Sequence, residues 1–188
     1  GGNAGVQEGQ ATTTGYMLFK RFNRSISKTS PGVASQNRPS IIFRLADFYL
    51  IYAEVANEVN PSDSRVLTYL NLVRERAGLP KVEILNPGIV GNKELQRAAI
   101  QRERQIELAT EGQRYFDVRR WMIADKDGEG RQNGYAHGMN VRGTINDTEE
   151  FNRVVETEKI VFNRKMYLQP IPDHEMRKTQ NLVQNPGW

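Results

Sequence analysis

Apolar residues recur at three- and four-residue intervals in three stretches of this chain, and each recurrence predicts a helix. In the first, about Ile42 to Val59, the positions Leu45, Phe48, Tyr49, Tyr52, Ala53 and Ala56 line one face, while Glu54 and Glu58 fall on another flank. Asn60-Pro61-Ser62 breaks the pattern. Pro61 opens a turn, and Ser62 is the expected N-cap of a second helix over about Asp63 to Ala77. Its apolar face is Val66, Leu67, Leu70, Val73 and Ala77, with Gly78 and Pro80 as stop signals. The third stretch begins at Asn92, an N-cap residue type, and carries Glu94 in its first turn, where negative charge suits the helix dipole. Leu95, Ala98, Ala99, Ile106 and Ala109 make its apolar face. Gly112 is placed to end or bend it, and Tyr115, Phe116, Val118 and Trp121 predict a further short helix with an aromatic face.

Between and beyond these helices the pattern changes. Residues 1–15 hold almost no bulky apolar side chain and read as flexible or extended. Tyr16 to Phe22 reads as a short strand or an arm on the core. Residues 23–40, 81–91 and 125–143 read as loops, punctuated by Gly and Pro. Phe151 to Ile171 contains the β-prone runs RVVE, KIVF and MYLQPI, which predict two or three short strands. Asp173 to Lys178 fits one or two helical turns, and the indole of Trp188 is expected to dock back on the body. The first two helices, joined by about three residues, should pack antiparallel, with Ala53 and Ala56 against Tyr69 and Leu70 in the manner of a tetratricopeptide hairpin. No second copy recurs at the period of about 34 residues such arrays use. The fold expectation is therefore mainly α: tetratricopeptide-like hairpins over residues 42–124, then long loops, a few short β-strands and a tail over 125–188.

Charge alters this picture mainly along the third helix. Glu103, Glu107 and Glu111 stand on one ridge at four-residue steps, where like charges repel. Arg102, Arg104, Arg114, Arg119 and Arg120 surround them, with Asp117 between. Carboxylates so placed need partners, and arginine forks suit them. The expected role is a structural ion-pair network of Glu103, Glu107, Glu111, Arg114, Asp117 and Arg120. A solvated charged face and a carboxylate metal site are the rivals. A di-metal bundle wants Glu-x-x-His pairs, and neither His137 nor His174 sits in one.

Composition narrows the function classes. The net charge is +4 and the pI about 9.4, yet the arginines are interleaved with acids rather than set in a basic stripe, which argues against nucleic acid. The absence of cysteine excludes disulfides and thiol chemistry within the chain. No apolar run is long enough to span a bilayer, and the first residue is glycine with no leader-like pattern after it, as expected of a processed product or a fragment. No phosphate-binding glycine loop and no GxSxG elbow occurs. Asn133, Tyr135, His137 and Asn140 bring a flat aromatic and several hydrogen-bonding groups together in one Gly-rich segment, the kind of set that stacks on sugar rings and bonds hydroxyls.

Six segments, in order, resemble the SusD/RagB family: TTGYMLFKRF, RLADFYLIYAEVANE, YLNLVRERAGLP, IQRERQIELATEGQRYFDVRRW, YLQPIP and NLVQNPGW. The resemblance implies a SusD-like fold of which this is the C-terminal part, with further hairpins stacked upstream. It also implies a non-catalytic outer-membrane lipoprotein of Bacteroidetes, without cofactor. Such a protein binds oligosaccharide or polysaccharide and passes it to a SusC-like TonB-dependent transporter, held to the membrane by a lipid anchor upstream of these motifs. The alternative is a helical-repeat scaffold that binds protein and no glycan.

Overall fold

The computed structural model describes Tyr16, Leu18, Lys20, residues 41–126, 134–140, Glu149 and residues 154–188. The expectations for residues 1–15 and 23–40, most of the arm at 16–22, and Asn133 lie outside these residues. The chain divides into two compact units, Arg38–Asp117 and a second made of Gly1–Asn37 with Val118–Trp188.

The first unit is helical. It holds α1 (Leu45–Val59), α2 (Arg65–Arg76), the short α3 (Val82–Leu85), a 3-10 turn at Pro87–Ile89 and α4 (Lys93–Glu107). A further helix, α5 (Gln113–Arg120), begins here and ends in the second unit. The stop and start signals act locally. The Asn92 side chain accepts the Leu95 N–H at 3.1 Å and so satisfies one of the orphan donors at the start of α4. Ser62 does not cap α2: its N–H goes to Asn60 Oδ1, and Asp63 instead accepts the Arg65 N–H at 2.9 Å. Gly78 after α2 and Gly112 before α5 take φ of +77° and +83°, a conformation in which a Cβ would be strained.

Leu45 at the start of α1 lines a small cleft together with Leu72, Val73 and Arg76 at the end of α2, so the two helices run antiparallel. Their shared core is Leu50 and Ala53 of α1, Val66, Leu70 and Val73 of α2, Ile89, and Ile100 of α4. Tyr69 packs its ring against Tyr49 and Tyr52, with centroids 5.4 and 4.5 Å away. The face of α2 follows the periodicity from Val66 to Val73; that of α1 does so only at Tyr49, Ala53 and Ala56, and that of α4 only at Ala99. Leu45 and Phe48, expected inside, are 61% and 54% exposed, whereas Leu50 is fully buried. The helix is apolar on two sides, and the second stripe (Leu45, Phe48, Tyr52, Val55 and Val59) stays open to solvent. On α4, Leu95 and Ile106 are exposed and the buried stripe is Gln96, Ile100, Glu103 and Arg104.

Buried amides close the seams of this unit. Asn57 donates to the Lys93 carbonyl at 3.0 Å, and Gln96 donates to the Pro61 carbonyl at 2.8 Å, which ties the α1–α2 turn to the start of α4. Asn71 accepts the Val82 N–H and donates to Glu83, anchoring the short α3. Each bond satisfies a polar group that would be costly to bury alone.

Glu58 adds an electrostatic tie at the same seam. Arg97 grips its carboxylate with two bonds of 2.6 and 2.7 Å, and Lys93 Nζ lies 3.0 Å away. These cations, Arg97 foremost, pull the Glu58 pKa down to about 2. A carboxyl group whose folded pKa is depressed stabilises the fold above its unfolded pKa and loses that contribution as pH falls through the folded value. An NMR titration should place the Glu58 midpoint near 2, and Glu58→Gln should flatten the decline of stability below the ordinary 4.5. The slope will be shallow, because the side chain is 41% exposed. A midpoint close to 4.5 would contradict this account.

The second unit contains an antiparallel pair of strands, β1 (Gly134–Met139) and β2 (Val154–Ile160). A 3-10 turn at Arg164–Tyr167 and a turn of helix, α6 (Asp173–Met176), follow. Its core is Val118, Ala124 and Phe162. Three sequence expectations change here. Residues 134–139 form a strand rather than loop, and the runs RVVE and KIVF merge into the single β2 up to Ile160. MYLQPI forms no strand, because Met166 donates its N–H to Asn163 at 2.8 Å and closes a turn. Trp121, expected in the core, is half-buried, with the Arg120 guanidinium 4.6 Å from its ring.

Candidate functional site

The carboxylate ridge of α4 meets arginines from the neighbouring helices. Glu103 takes Arg74 at 2.9 Å, and Glu107 takes Arg44 at 2.5 Å and Arg76 at 2.6 Å. Glu111 is gripped by Arg44 through Nε and Nη2, and these bonds hold the Arg44 pKa above its ordinary value. Arg104 forks onto Asp117 at 2.9 and 3.1 Å and reaches Asp47 at 2.8 Å. Arg44, Arg74, Arg76 and Asp47 were not among the expected members. Arg120 lies on Trp121, and both it and Arg114 make further contacts. Among the described residues no three His, Asp or Glu side chains gather as a metal site requires. None of the helices of the described residues is long and apolar enough to cross a membrane.

Of the expected binding residues, Tyr135 and His137 stand two apart on β1, both exposed, and so share one face of the hairpin. Tyr135 pairs across the strands with Lys159 and His137 with Glu156. Between these pairs β2 carries one residue more than β1, a bulge that bends the strand. Lys159 Nζ sits 5.8 Å from the centre of the Tyr135 ring. The face thus offers an aromatic plate flanked by a cation, an imidazole and a carboxylate. Asn140 follows the strand and is half-buried. This arrangement can stack on an apolar ring face and hydrogen-bond to hydroxyls.

A second concavity was not anticipated. A cleft of about 640 Å³ lies where the chain end folds onto the 3-10 turn. The Trp188 indole N–H is shared by the carbonyls of Lys165 and Leu168, at 3.1 and 3.0 Å. Asn185 donates to the Gln169 carbonyl, and Gln184 exchanges two bonds with the Ile171 backbone. Gly187, at φ +87°, packs so closely that a Cβ would stand 3.0 Å from that of Lys165. On the inner side Phe162 is held in the core, edge-on to Tyr167 at 5.0 Å, with the Arg119 guanidinium 5.0 Å from its ring. The Tyr167 hydroxyl donates to Asp125 at 2.5 Å; burial and that bond raise its pKa, while the Asp125 pKa is lowered. The docked tail is the one legible signal in the sequence for this cleft.

The matches to known proteins follow this architecture. A profile of the SusD family covers residues 1–188. The chain belongs to the SusD family. The SusD-like protein P25 of Formosa agariphila is 44% identical over 106 residues, which is 56% of this chain and 19% of P25. The solved structure of BT4246 is 34% identical at a TM-score of 0.65, covering 81% of this chain and 24% of that one. A SusD-like protein from Bacteroides fragilis is 31% identical at a TM-score of 0.63, over 79% of this chain and 26% of its own. The helix-dominated fold with its small sheet is thus SusD-like, and the chain spans 19–26% of the length of these SusD-like relatives.

Proposed function

We propose that this chain is the C-terminal part of a non-catalytic SusD-like lipoprotein. At the outer-membrane surface it binds oligosaccharide or polysaccharide nutrients and delivers them to a SusC-like TonB-dependent transporter. No cofactor is needed. The family match over the entire chain carries the reading. The exposed Tyr135–His137 face supports it, because a flat ring beside mixed hydrogen-bonding groups suits a sugar. The open apolar stripe on α1 favours a second reading, a helical-repeat scaffold for a protein partner without glycan.

Affinity electrophoresis against a panel of polysaccharides, followed by calorimetry on any that retard the chain, separates the two. The expected result is retardation by at least one polysaccharide, weakened by Tyr135→Ala. A folded chain that no polysaccharide retards would sink the glycan reading and leave the scaffold.

A further inference from the structure

The cleft beneath the docked tail has a chemistry of its own. Three of its described lining residues, Arg119, Arg164 and Lys165, are cations, and none is acidic. Arg164 projects into solvent with its side chain 83% exposed, and its ion-pair contact to Asp125 is long, at 4.0 Å. The Tyr167 hydroxyl donates to the other oxygen of that carboxylate, and 4.0 Å is beyond hydrogen-bond range, so the guanidinium donors are not taken up by Asp125. Lys165 is held differently. Its Nζ stands 4.2 Å from the centre of the Trp188 ring, and its stem is packed by Gly187. A cation resting on an aromatic face keeps its charge and its hydrogen-bond donors free for an anion. Beside these charges lie Met122 and Leu168, 48% and 52% exposed, which can take the apolar face of a ring. Neighbouring fixed cations, a concave wall and apolar flanks together suit a ligand that is part ring and part anion.

We infer that this cleft binds the carboxylate or sulfate group of an acidic saccharide, with Arg164 and Lys165 as its anion-holding residues and Met122 and Leu168 against the sugar ring. The inference rests on the glycan reading above but names a separate site and a narrower ligand class. Sequential residues on a 3-10 turn splay their side chains, so Arg164 and Lys165 approach the anion from different directions. Arginine supplies a planar fork and lysine a point charge, a pairing that accepts both planar carboxylate and tetrahedral sulfate.

The test uses the 188-residue chain, its Arg164→Gln/Lys165→Gln variant, and four probes: a neutral galactan oligosaccharide, an oligogalacturonate, a sulfated galactan oligosaccharide, and a polyglutamate peptide. Calorimetry gives affinity. The emission of Trp188, isolated in a Trp121→Phe background, reports events at Lys165. Both substituted side chains are at the surface, and circular dichroism checks that the fold is kept. The expected result is binding of an acidic saccharide that falls with added salt, weakens roughly tenfold or more in the double variant, and moves the Trp188 emission. Whichever of oligogalacturonate and sulfated galactan binds identifies the anion. Neutral and acidic saccharides bound alike, with no effect of the double variant, would overturn the cleft and leave the glycan reading intact. Polyglutamate bound through these residues while acidic saccharides are ignored would overturn the saccharide and make the cleft a dock for acidic protein. No binding of any probe would overturn this site, with the polysaccharide panel alone then deciding the wider reading.

Discussion

Arg104→Met is expected to destabilise the helical unit by about 3–5 kcal/mol, the range for stranding buried charge. Arg104 is 3% exposed, and the two carboxylates it serves, Asp47 and Asp117, are 7% and 2% exposed. Its three charge-assisted bonds join α1, α4 and α5 through one side chain. Methionine keeps much of the stem's apolar packing but none of the five donors, so the loss is one of charge compensation more than of volume. The two aspartates would then face low-dielectric surroundings with less to offset their desolvation. Urea denaturation followed by circular dichroism measures the effect. A second variant tests its cause. In the Arg104→Met background, Asp47→Asn should recover part of the loss, because it removes one stranded charge, whereas in the parent chain the same change should destabilise. That reversal of sign is the signature of coupling. A loss near 1 kcal/mol with no reversal would mean that the triad is solvated and contributes little.

The contrast between this triad and the neighbouring ridge shows what sequence spacing conveys. Four-residue steps made Glu103, Glu107 and Glu111 visible as a set that needs cations. The cations that serve them come from Arg74, 29 residues away, and Arg44, as many as 67 away, and no local pattern names them. Arg104 is legible only as one arginine among several, and Asp47 only as a charge that interrupts an apolar helix, not as its partner. The three long helices were legible because part of their cause is local, as with the Asn92 cap and the turn at Gly78; α3 and the 3-10 turn at Pro87–Ile89 instead fall within the stretch 81–91 that reads as a loop, and α4 ends at Glu107, ahead of Gly112. Burial is a different matter. It depends on the packing partner, so the periodicity of a helix apolar on two sides does not say which side is covered. On α4 the buried stripe is mostly polar, with Gln96, Glu103 and Arg104 beside Ile100, and apolar spacing points to another face.

The candidate surfaces obey the same division. Tyr135 and His137 were legible as residue types, but not as a strand face. Gly134 and Gly138 weaken any β signal, and the strand exists through pairing with residues about twenty positions later. The cleft was less legible still. Its walls come from the end of α5 with Met122, the turn at Arg164–Tyr167 with Leu168, and Pro186 and Gly187 near the chain end. Only the docking of Trp188 was foreseeable, from a lone indole at a chain end. The chemistry beside it, an exposed Arg164 next to a Lys165 that rests on the Trp188 ring, emerges only when the tail folds back.

The two faces of α1 make the second large prediction. Leu50→Ala should cost about 2–5 kcal/mol, whereas Phe48→Ala, which removes a larger side chain two residues away, should cost under about 1 kcal/mol. Leu50 is fully buried between α2 and α4, and its loss leaves a cavity that the close-packed Ala53, Val66, Leu70 and Ile100 around it can fill only by straining. Phe48 is 54% exposed and touches Phe43 edge-on, itself 63% exposed, so little surface returns to water when it is truncated. The ordering runs opposite to side-chain size and to the apolar face that periodicity selects first. Denaturation midpoints of the two variants, taken at equal slope, decide it. Equal costs would mean that the outer stripe of α1 is covered in solution, and a concentration-dependent Phe48→Ala effect would show that a second copy covers it. A Leu50→Ala cost near zero would mean that α1 does not hold its place on α2 and α4 at all, and the fold of the helical unit would then need to be redrawn around its outer, aromatic face.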